Sequence, residues 1–348
     1  MRIALTADPY IPVPPVYYGG IERIVHLLAE QLVRRQHHVT LFAHRDSRVP
    51  GAALVPYGVP PHEGFSRRMR ELAQIGGALW RRRADFDVIH SFGRLAALAP
   101  VLPLRHLPKV QSYQRTVPWP GVRRAVRLAD GSVRFTACSS SMFRGHSEAG
   151  NGMWRTIFNG VDLTKYQCTT GPRAASAPLV FLGKVVRMKG VHIAIAIARR
   201  AGRRLVIAGN AADAGPDHEY FVQEIQPAID GDVIQYVGPV DDAQKNTLLG
   251  GAAALLFPTM YEEPFGIVMA EAMACGTPVI GPRLGAVPEV VRDGVNGFLC
   301  DTVEEGAAAV DRLGEIDRAA VRRDCEARFD ASVIVSQYEA LYREAVGR

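Results

Sequence analysis

Three stretches of the chain hold residue types and spacings that could do chemistry. In EEPFGIVMAEAMACGTPV, Glu262 to Val279, the carboxylate of Glu271 sits inside the run Ile267 to Cys275, which is otherwise apolar. At helical spacing this run is apolar all the way round, which describes a helix packed inside the protein. A carboxylate there needs partners, because an unsatisfied buried polar group costs about 2–7 kcal/mol. Neighbouring backbone or a buried arginine could supply them, and so could the hydroxyls of a ligand. Pro264 suits a first helical turn, and Gly276 followed by Pro278 suits an end. That reading places Glu263 at the helix N-terminus and Glu271 about two turns further in.

The second stretch, LGKVVRMKGVHIAIAIA, crowds Lys184, Arg187 and Lys189 between a strand and an apolar helix. Cations at a helix start oppose the dipole unless an anion lies between them, and a diphosphate would fit. A solvated charge cluster is the plainer alternative. The third, VYYGGIER, sets Gly19 and Gly20 before a helix: either a phosphate cradle or a glycine-rich helix entry. The spacing is not G-x-G-x-x-G, so hydride transfer is not supported. His90 in VIHSFGR ends a strand, where it could reach a ligand or serve structure. Asn159-Gly160-Val161-Asp162 reads as a turn near a hinge between domains. No D-x-D or paired carboxylate stands ready to hold a divalent ion between phosphates. The five cysteines form no C-x-x-C pair and suggest neither a disulfide framework nor a zinc site.

These residues need strands to carry them. RIALTAD, HVTLFAH, DVIHSF and KVQSY read as strands of a first half; LVFLG, RLVIAG, VIQYVG, AALLFP and PVIG as strands of a second. Continuous apolar strands separated by amphipathic stretches such as IERIVHLLAEQLVRR predict parallel sheets covered by helices. The expected architecture is α/β: two doubly wound, Rossmann-like domains facing each other, with ligands at the carboxyl ends of the strands. Residues 1–166 form the first domain, Gln167 to Pro178 the linker, 179–330 the second domain, and 331–348 a helix packing back on the first.

At 348 residues, with 48% hydrophobic and 22% charged, the chain has ordinary globular composition for two domains. No apolar stretch reaches the roughly 18 residues of a spanning helix, and MRIALTAD enters a strand without a signal-peptide pattern, so a cytoplasmic protein is expected. The net charge of +6 is uneven: 23 Lys+Arg against 11 Asp+Glu in residues 1–170, and 18 against 24 in 171–348. A basic first half suggests an acidic partner, a phosphorylated substrate or an anionic membrane surface, and nucleic acid is not expected. From Ser66 to Asp85, arginines 67, 68, 70 and 81–83 flank Leu72, Ile75, Leu79 and Trp80. This is either an ordinary amphipathic helix or a peripheral contact with the inner face of a membrane.

Glu263 and Glu271, the intervening Phe265-Gly266-Ile267, the tail EAMACGTPVIGPRLGAVPEVVRDGVNGFL, and YYGGIER, VIHSFGR, TIFNGVDLTKY and LGKVVRMKG in that order resemble retaining glycosyltransferase family 4. The resemblance implies the GT-B fold, two Rossmann-like domains facing across a cleft, and a hexosyltransferase-type enzyme that takes a nucleotide diphosphate sugar and a hydroxyl-bearing acceptor. It implies that Glu263 contacts the transferred sugar and that Glu271 binds the ribose hydroxyls. The amides of Phe265, Gly266 and Ile267 would hold sugar and diphosphate, Lys184 and Lys189 would hold the diphosphate, and Gly19 and Gly20 would close on it from the other domain. With fixed cations on the leaving group, neither metal nor cofactor is required, and a diphosphate oxygen takes the acceptor's proton. UDP leads among nucleotides because it is the commonest in such enzymes. Two positions depart from the family pattern: Gln114, followed by Arg115, stands where a histidine is usual, and Lys184 where an arginine is. Gln114, Arg115, His90 and Arg187 are the further candidates for contact with sugar or acceptor. The competing readings are a non-catalytic nucleotide-sugar-binding partner of another transferase and a nucleotide-sugar epimerase on the same fold.

Overall fold

A computed structural model describes residues 1–15, 19–58, 65–146, 151–169, 171, 173–174 and 176–347. Two compact units emerge: residues Met1–Gly160 with Ala331–Arg348, and Val161–Asp330.

In the first unit the strands are β1 (Arg2–Thr6), β2 (His38–Ala43), β3 (Ala53–Pro56), β4 (Val88–Ser91), β5 (Lys109–Tyr113), β6 (Val133–Ala137) and β7 (Met153–Thr156). They lie in the order β3-β2-β1-β4-β5-β6-β7 and pair in parallel throughout. Its helices α1 (Gly20–Arg34), α2 (Phe65–Arg81) and α3 (Trp119–Ala129) follow β1, β3 and β5. In α1 the apolar stripe Ile24, Val25, Leu28 and Leu32 is buried, as helical periodicity requires. In α2, Ile75 and Leu79 lie in the core, while Trp80 of the same stripe is exposed.

The second unit carries β8 (Leu179–Leu182), β9 (Leu205–Ala208), β10 (Ile234–Gly238), β11 (Ala254–Leu256), β12 (Val279–Gly281) and β13 (Gly297–Leu299), with α4 (Val191–Arg200), α5 (Pro216–Tyr220), α6 (Asp242–Gly251), α7 (Ile267–Ala274), α8 (Val287–Val290), α9 (Val303–Asp311) and α10 (Arg318–Phe329). Its sheet, β10-β9-β8-β11-β12-β13, is also all parallel. Helix α11 (Ala331–Val346) belongs to the first unit. There Tyr342 meets His90 of β4 and Glu339 meets Arg35 and His37 beyond α1. In both sheets the strand order reverses direction once, between β1 and β4 and between β8 and β11, and such switch points open a crevice at the carboxyl ends.

Every strand run named above contains a strand, and four more appear. Edge strand β3 is half exposed, β7 is likewise partly open, β13 has three residues, and β6 carries Arg134 as its second residue. The chain passes from the first unit to the second at Gly160–Val161, within the expected turn, and returns at Asp330–Ala331. The stretch 167–178 lies inside the second unit, where the Gln167 amide donates to Asn246 Oδ1 at 3.0 Å and the Thr169 amide to the Cys275 carbonyl at 3.4 Å; residues 170, 172 and 175 fall outside the described residues. No described helix is long and apolar enough to cross a membrane.

Candidate active site

The loops leaving β8 and β11 are locked to each other. Lys184, Arg187 and Lys189 follow β8, and residues 187–189 form one 3-10 turn that hands over to α4 through Gly190. The loop after β11 returns over it: the Met260 amide donates to the Met188 carbonyl at 2.8 Å. Lys189 Nζ donates to Glu263 Oε2, which also accepts from the Tyr261 hydroxyl. Lys189 further lies over the Tyr261 ring at 5.0 Å. A third loop, after β12, holds Glu263 from behind. The Ala286 amide donates to the Glu263 carbonyl at 3.0 Å, and Gly285 sits with φ +56° so close that a Cβ would come within 2.7 Å of the Glu263 nitrogen. Only glycine meets both conditions.

Helix α7 begins later than the sequence suggests. Its N-cap is Gly266, left-handed at φ 75° and ψ 72°, and its first residue is Ile267. A Cβ at Gly266 would lie 2.7 Å from the Phe257 ring and 2.9 Å from Met269 Cε. Glu263 and Pro264 therefore stand in the preceding loop rather than in the helix, and Glu271 lies little more than one turn in. The amides of Ile267 and its neighbours open the helix and have no intrahelical acceptor, so this end favours an anion. At the other end the Thr277 amide bonds the Ala272 carbonyl and the Gly276 amide that of Met273, each at 2.9 Å, with Gly276 at φ +72°. That is a Schellman stop. Between these ends Met269 to Cys275 are buried, as expected.

Glu271 finds partners inside the chain. Its Oε1 accepts from the Tyr166 hydroxyl at 2.7 Å and from Lys245 Nζ at 2.5 Å. Burial and the adjacent carboxylate push the Tyr166 phenol far above its ordinary value, so it stays a donor. Both described bonds go to the same oxygen. The second carboxylate oxygen keeps its lone pairs for another donor. Lys245 stands on α6, whose start is fixed by a capping box between Asp241 and Gln244.

The three cations of the β8 loop do not act as one cluster. Lys189 is paired with Glu263, and Arg187 is paired with Glu224 while its guanidinium lies 4.8 Å over the Tyr220 ring. Carboxylates of the chain itself thus occupy two of the places expected for an external anion. Lys184 is exposed.

In the first unit the expectations fare differently. Gly19 and Gly20 begin α1, but Glu22 occupies the helix start: its Oε2 lies 2.9 Å from where a Gly19 Cβ would be. Burial raises the Glu22 pKa, and Asp8 adds to the effect. The loop therefore presents a carboxylate and not a vacant anion cradle, because the helix has recruited its own first-turn acid. Tyr17 and Tyr18 lie outside the described residues.

His90 is corrected from a ligand candidate to a structural residue. It is 0% exposed, its Nδ1 lies 2.5 Å from the Tyr342 hydroxyl and its Nε2 2.6 Å from Ser112 Oγ. With both nitrogens bonded, burial lowers its pKa to about 3 and it stays neutral. Arg115 pairs with Asp8 at 2.6 Å. Gln114 follows β5 and lines a cavity of about 540 Å³ beside α3. Sequence reading missed Tyr166, Lys245, Tyr261, Asp8 and Glu22. Tyr166 stood in the quoted TKY but carried no signal of its own, and the others show no distinguishing spacing.

Known proteins resemble the chain over both units. A family model described as glycosyl transferases group 1 covers residues 172–328, and one described as glycosyltransferase family 4 covers residues 18–165. A glycogen synthase of Mycobacterium tuberculosis is 27% identical over 380 residues, covering 94% of this chain and 89% of that protein. A phosphatidyl-myo-inositol mannosyltransferase of the same organism is 29% identical over 395 residues, covering 100% and 98%. The crystal structure of Anabaena HepE in complex with UDP and glucose superposes with a TM-score of 0.74 at 20% identity, over 98% of this chain and 99% of that one. The two family models between them span all of the second sheet, the first sheet apart from β1, and every element that carries the Lys189–Glu263 and Glu271–Lys245 pairs, and the chain belongs to the family 4 type of glycosyltransferases with the GT-B fold.

Proposed function

We propose that the protein moves a sugar from a nucleotide diphosphate sugar to a hydroxyl of an acceptor with retention of anomeric configuration, and that the donor is a UDP-sugar. The observation that supports this most is the Lys189–Glu263 pair set beside the open start of α7. A carboxylate suited to sugar hydroxyls, a cation suited to phosphate and helix-start amides suited to both stand together at the switch point of one sheet. In this reading the donor takes over the pair. Its sugar hydroxyls replace Lys189 on Glu263, and its diphosphate takes Lys189 and Lys184 together with the amides of Phe265, Gly266 and Ile267. Glu271, held by Tyr166 and Lys245 through one oxygen, offers the other to the ribose hydroxyls.

Breaking the anomeric C–O bond builds negative charge on the leaving diphosphate. Lysines and amides fixed there lower the barrier because they bind that charge more strongly in the transition state than in the ground state. The positive charge comes from the chain, so the reading needs no metal and no cofactor. A diphosphate oxygen then takes the acceptor's proton. HepE, crystallised with UDP and glucose, supports the choice of nucleotide.

The test is to incubate the protein with UDP-, GDP-, ADP- and dTDP-sugars and to follow nucleotide release together with thermal unfolding. A donor at about 100 times its Kd adds roughly 2.7 kcal/mol, a clear rise in Tm. UDP-sugars are expected to give the largest rise, and Glu263→Ala to remove release. Stabilisation by another nucleotide alone would overturn the UDP assignment; stabilisation by none would overturn the donor site.

A further inference from the structure

Two donors meet on one oxygen of Glu263: Lys189 Nζ and the Tyr261 hydroxyl both bond Oε2. They differ in kind. Lys189 carries a compact ammonium on a flexible four-carbon stem, whereas the Tyr261 hydroxyl is fixed to a planar ring two residues from the carboxylate it holds. The loop around that ring is pinned on both sides. Before it, the Met260 amide donates to the Met188 carbonyl at 2.8 Å, and after it the Glu263 carbonyl accepts from the Ala286 amide at 3.0 Å. Thr259 Oγ1 donates to the Tyr261 carbonyl itself at 3.3 Å. The ring and the hydroxyl also serve different partners. Lys189 Nζ lies 5.0 Å over the Tyr261 ring and 5.8 Å over that of Phe257, a cation–π arrangement, while the hydroxyl faces Glu263. The Glu263 side chain is 12% exposed, so water offers it little. A carboxylate in such a place is costly once its cation leaves.

In the donor reading the diphosphate draws Lys189 away from Glu263, and the hydroxyl is what remains. We infer that Tyr261 is a positioning residue for that moment: its hydroxyl keeps Glu263 in one orientation through Oε2, so that Oε1 and the place Lys189 leaves are presented to the sugar. The lysine cannot do this alone, since each approach of Nζ to the phosphates would release Glu263 to turn about its own side-chain bonds. A hydroxyl bond to a carboxylate is of the strong, charge-assisted kind and does not depend on the lysine staying. Tyr261 thereby belongs to the sugar half of the donor and not to the nucleotide half, although it touches neither. The inference rests on the donor reading of this site.

The test separates sugar from nucleotide. The full chain and its Tyr261→Phe variant are titrated calorimetrically with UDP-, GDP-, ADP- and dTDP-sugars and with each free nucleotide, and kcat for nucleotide release is measured with the donor that the wild type uses fastest. Phenylalanine keeps the ring over Lys189 and removes only the hydroxyl. Tyr261→Phe is expected to lower kcat about ten- to a hundredfold, the worth of one hydrogen bond to a charged group, while free nucleotide affinity stays within about twofold. The gain in affinity that the sugar brings over free nucleotide is expected to shrink. In a Glu263→Ala background the same substitution is expected to change neither affinity further, because the carboxylate through which Tyr261 acts is gone. Three results would each overturn the inference. An unchanged kcat would show that the hydroxyl does nothing for the reaction. Free nucleotide weakened as much as nucleotide sugar would make Tyr261 a general support of the loop. The same loss of sugar affinity in Glu263→Ala would mean that Tyr261 acts without Glu263. A wild type that releases nucleotide beside an unaffected Tyr261→Phe leaves the donor reading standing, whereas a wild type that neither binds nor releases any nucleotide fails the donor reading and takes this inference with it.

Discussion

The carboxyl ends of the two sheets solve the same topological problem in opposite ways. In the second unit, three loops are tied by backbone bonds and ion pairs into a site whose charges already have partners: Lys189 with Glu263, Arg187 with Glu224, Lys245 with Glu271. In the first unit, an apolar cavity is rimmed by arginines of which Arg115 is paired with Asp8, and the buried polar residues near it, His90 and Ser112, are satisfied on the α11 side of the sheet. In the donor reading proposed above, a ligand of the second unit displaces Lys189 from Glu263, so the internal pair fixes the geometry beforehand and limits what can enter. In that reading one end is selective by replacement, while at the other the chain has already closed its own buried pair, His90 and Ser112.

Breaking the paired site should have the largest effect. Glu263→Ala and Lys189→Ala are each expected to lower kcat/KM by about 10²–10³, the usual range for removing one fixed charge-stabilising group. Because the two residues bond each other, the double variant should lose less than the product of the single losses; steady-state nucleotide release measures all three. Independent, multiplying losses would show that the pair is incidental. Next, Gly285→Val forces a side chain against the Glu263 backbone. A residue held in a strained backbone region costs about 1–3 kcal/mol, so thermal unfolding should fall accordingly, with activity lost alongside.

The first unit responds to pH instead. His90 has a folded pKa of about 3, against about 6.5 unfolded. Between these values the unfolded chain binds a proton that the folded one does not. Stability present above pH 6.5 is therefore lost as pH falls toward 3, at up to about 1.4 kcal/mol per pH unit. Denaturant melts of His90→Gln from pH 7 to 4 should show a flatter slope than wild type, and an equal slope would assign the acid sensitivity elsewhere. The smallest effect is expected from Tyr166→Phe, which removes one of two donors to Glu271 Oε1. Loss of a hydrogen bond of about 0.5–1.5 kcal/mol predicts a few-fold rise in donor KM with kcat nearly unchanged. A fall in kcat alone would mean that Glu271 serves the chemical step.

Parallel strands buried on both faces are written as apolar runs, and for that reason nine of the thirteen strands among the described residues stood out. Strand β6 did not, because Arg134 interrupts it and folds back onto the carbonyl of Gly131. Glu263, Glu271 and Lys189 were legible through a local contradiction, charge inside apolar surroundings or at the wrong helix end. Lys245 and Tyr166 were not, since they reach Glu271 from 26 and 105 residues away. His90 misled for the same reason: a strand end looks open until one knows that Tyr342, 252 residues later, covers it. The start of α7 was misjudged because Pro264 suits a helix entry, while the left-handed Gly266 that sets the true start is recognised only by the Phe257 and Met269 atoms around it.

That long-range cover also sets a timetable. The second unit, residues 161–330, is one continuous stretch and can fold as soon as it leaves the ribosome, but the first lacks α11 until those 170 residues have been made. At about 5–20 residues per second the wait is roughly ten to thirty seconds. During it, the face of the first sheet that carries His90 and Ser112 lacks Tyr338 and Tyr342 as cover. The first unit, begun before the second, is therefore finished after it.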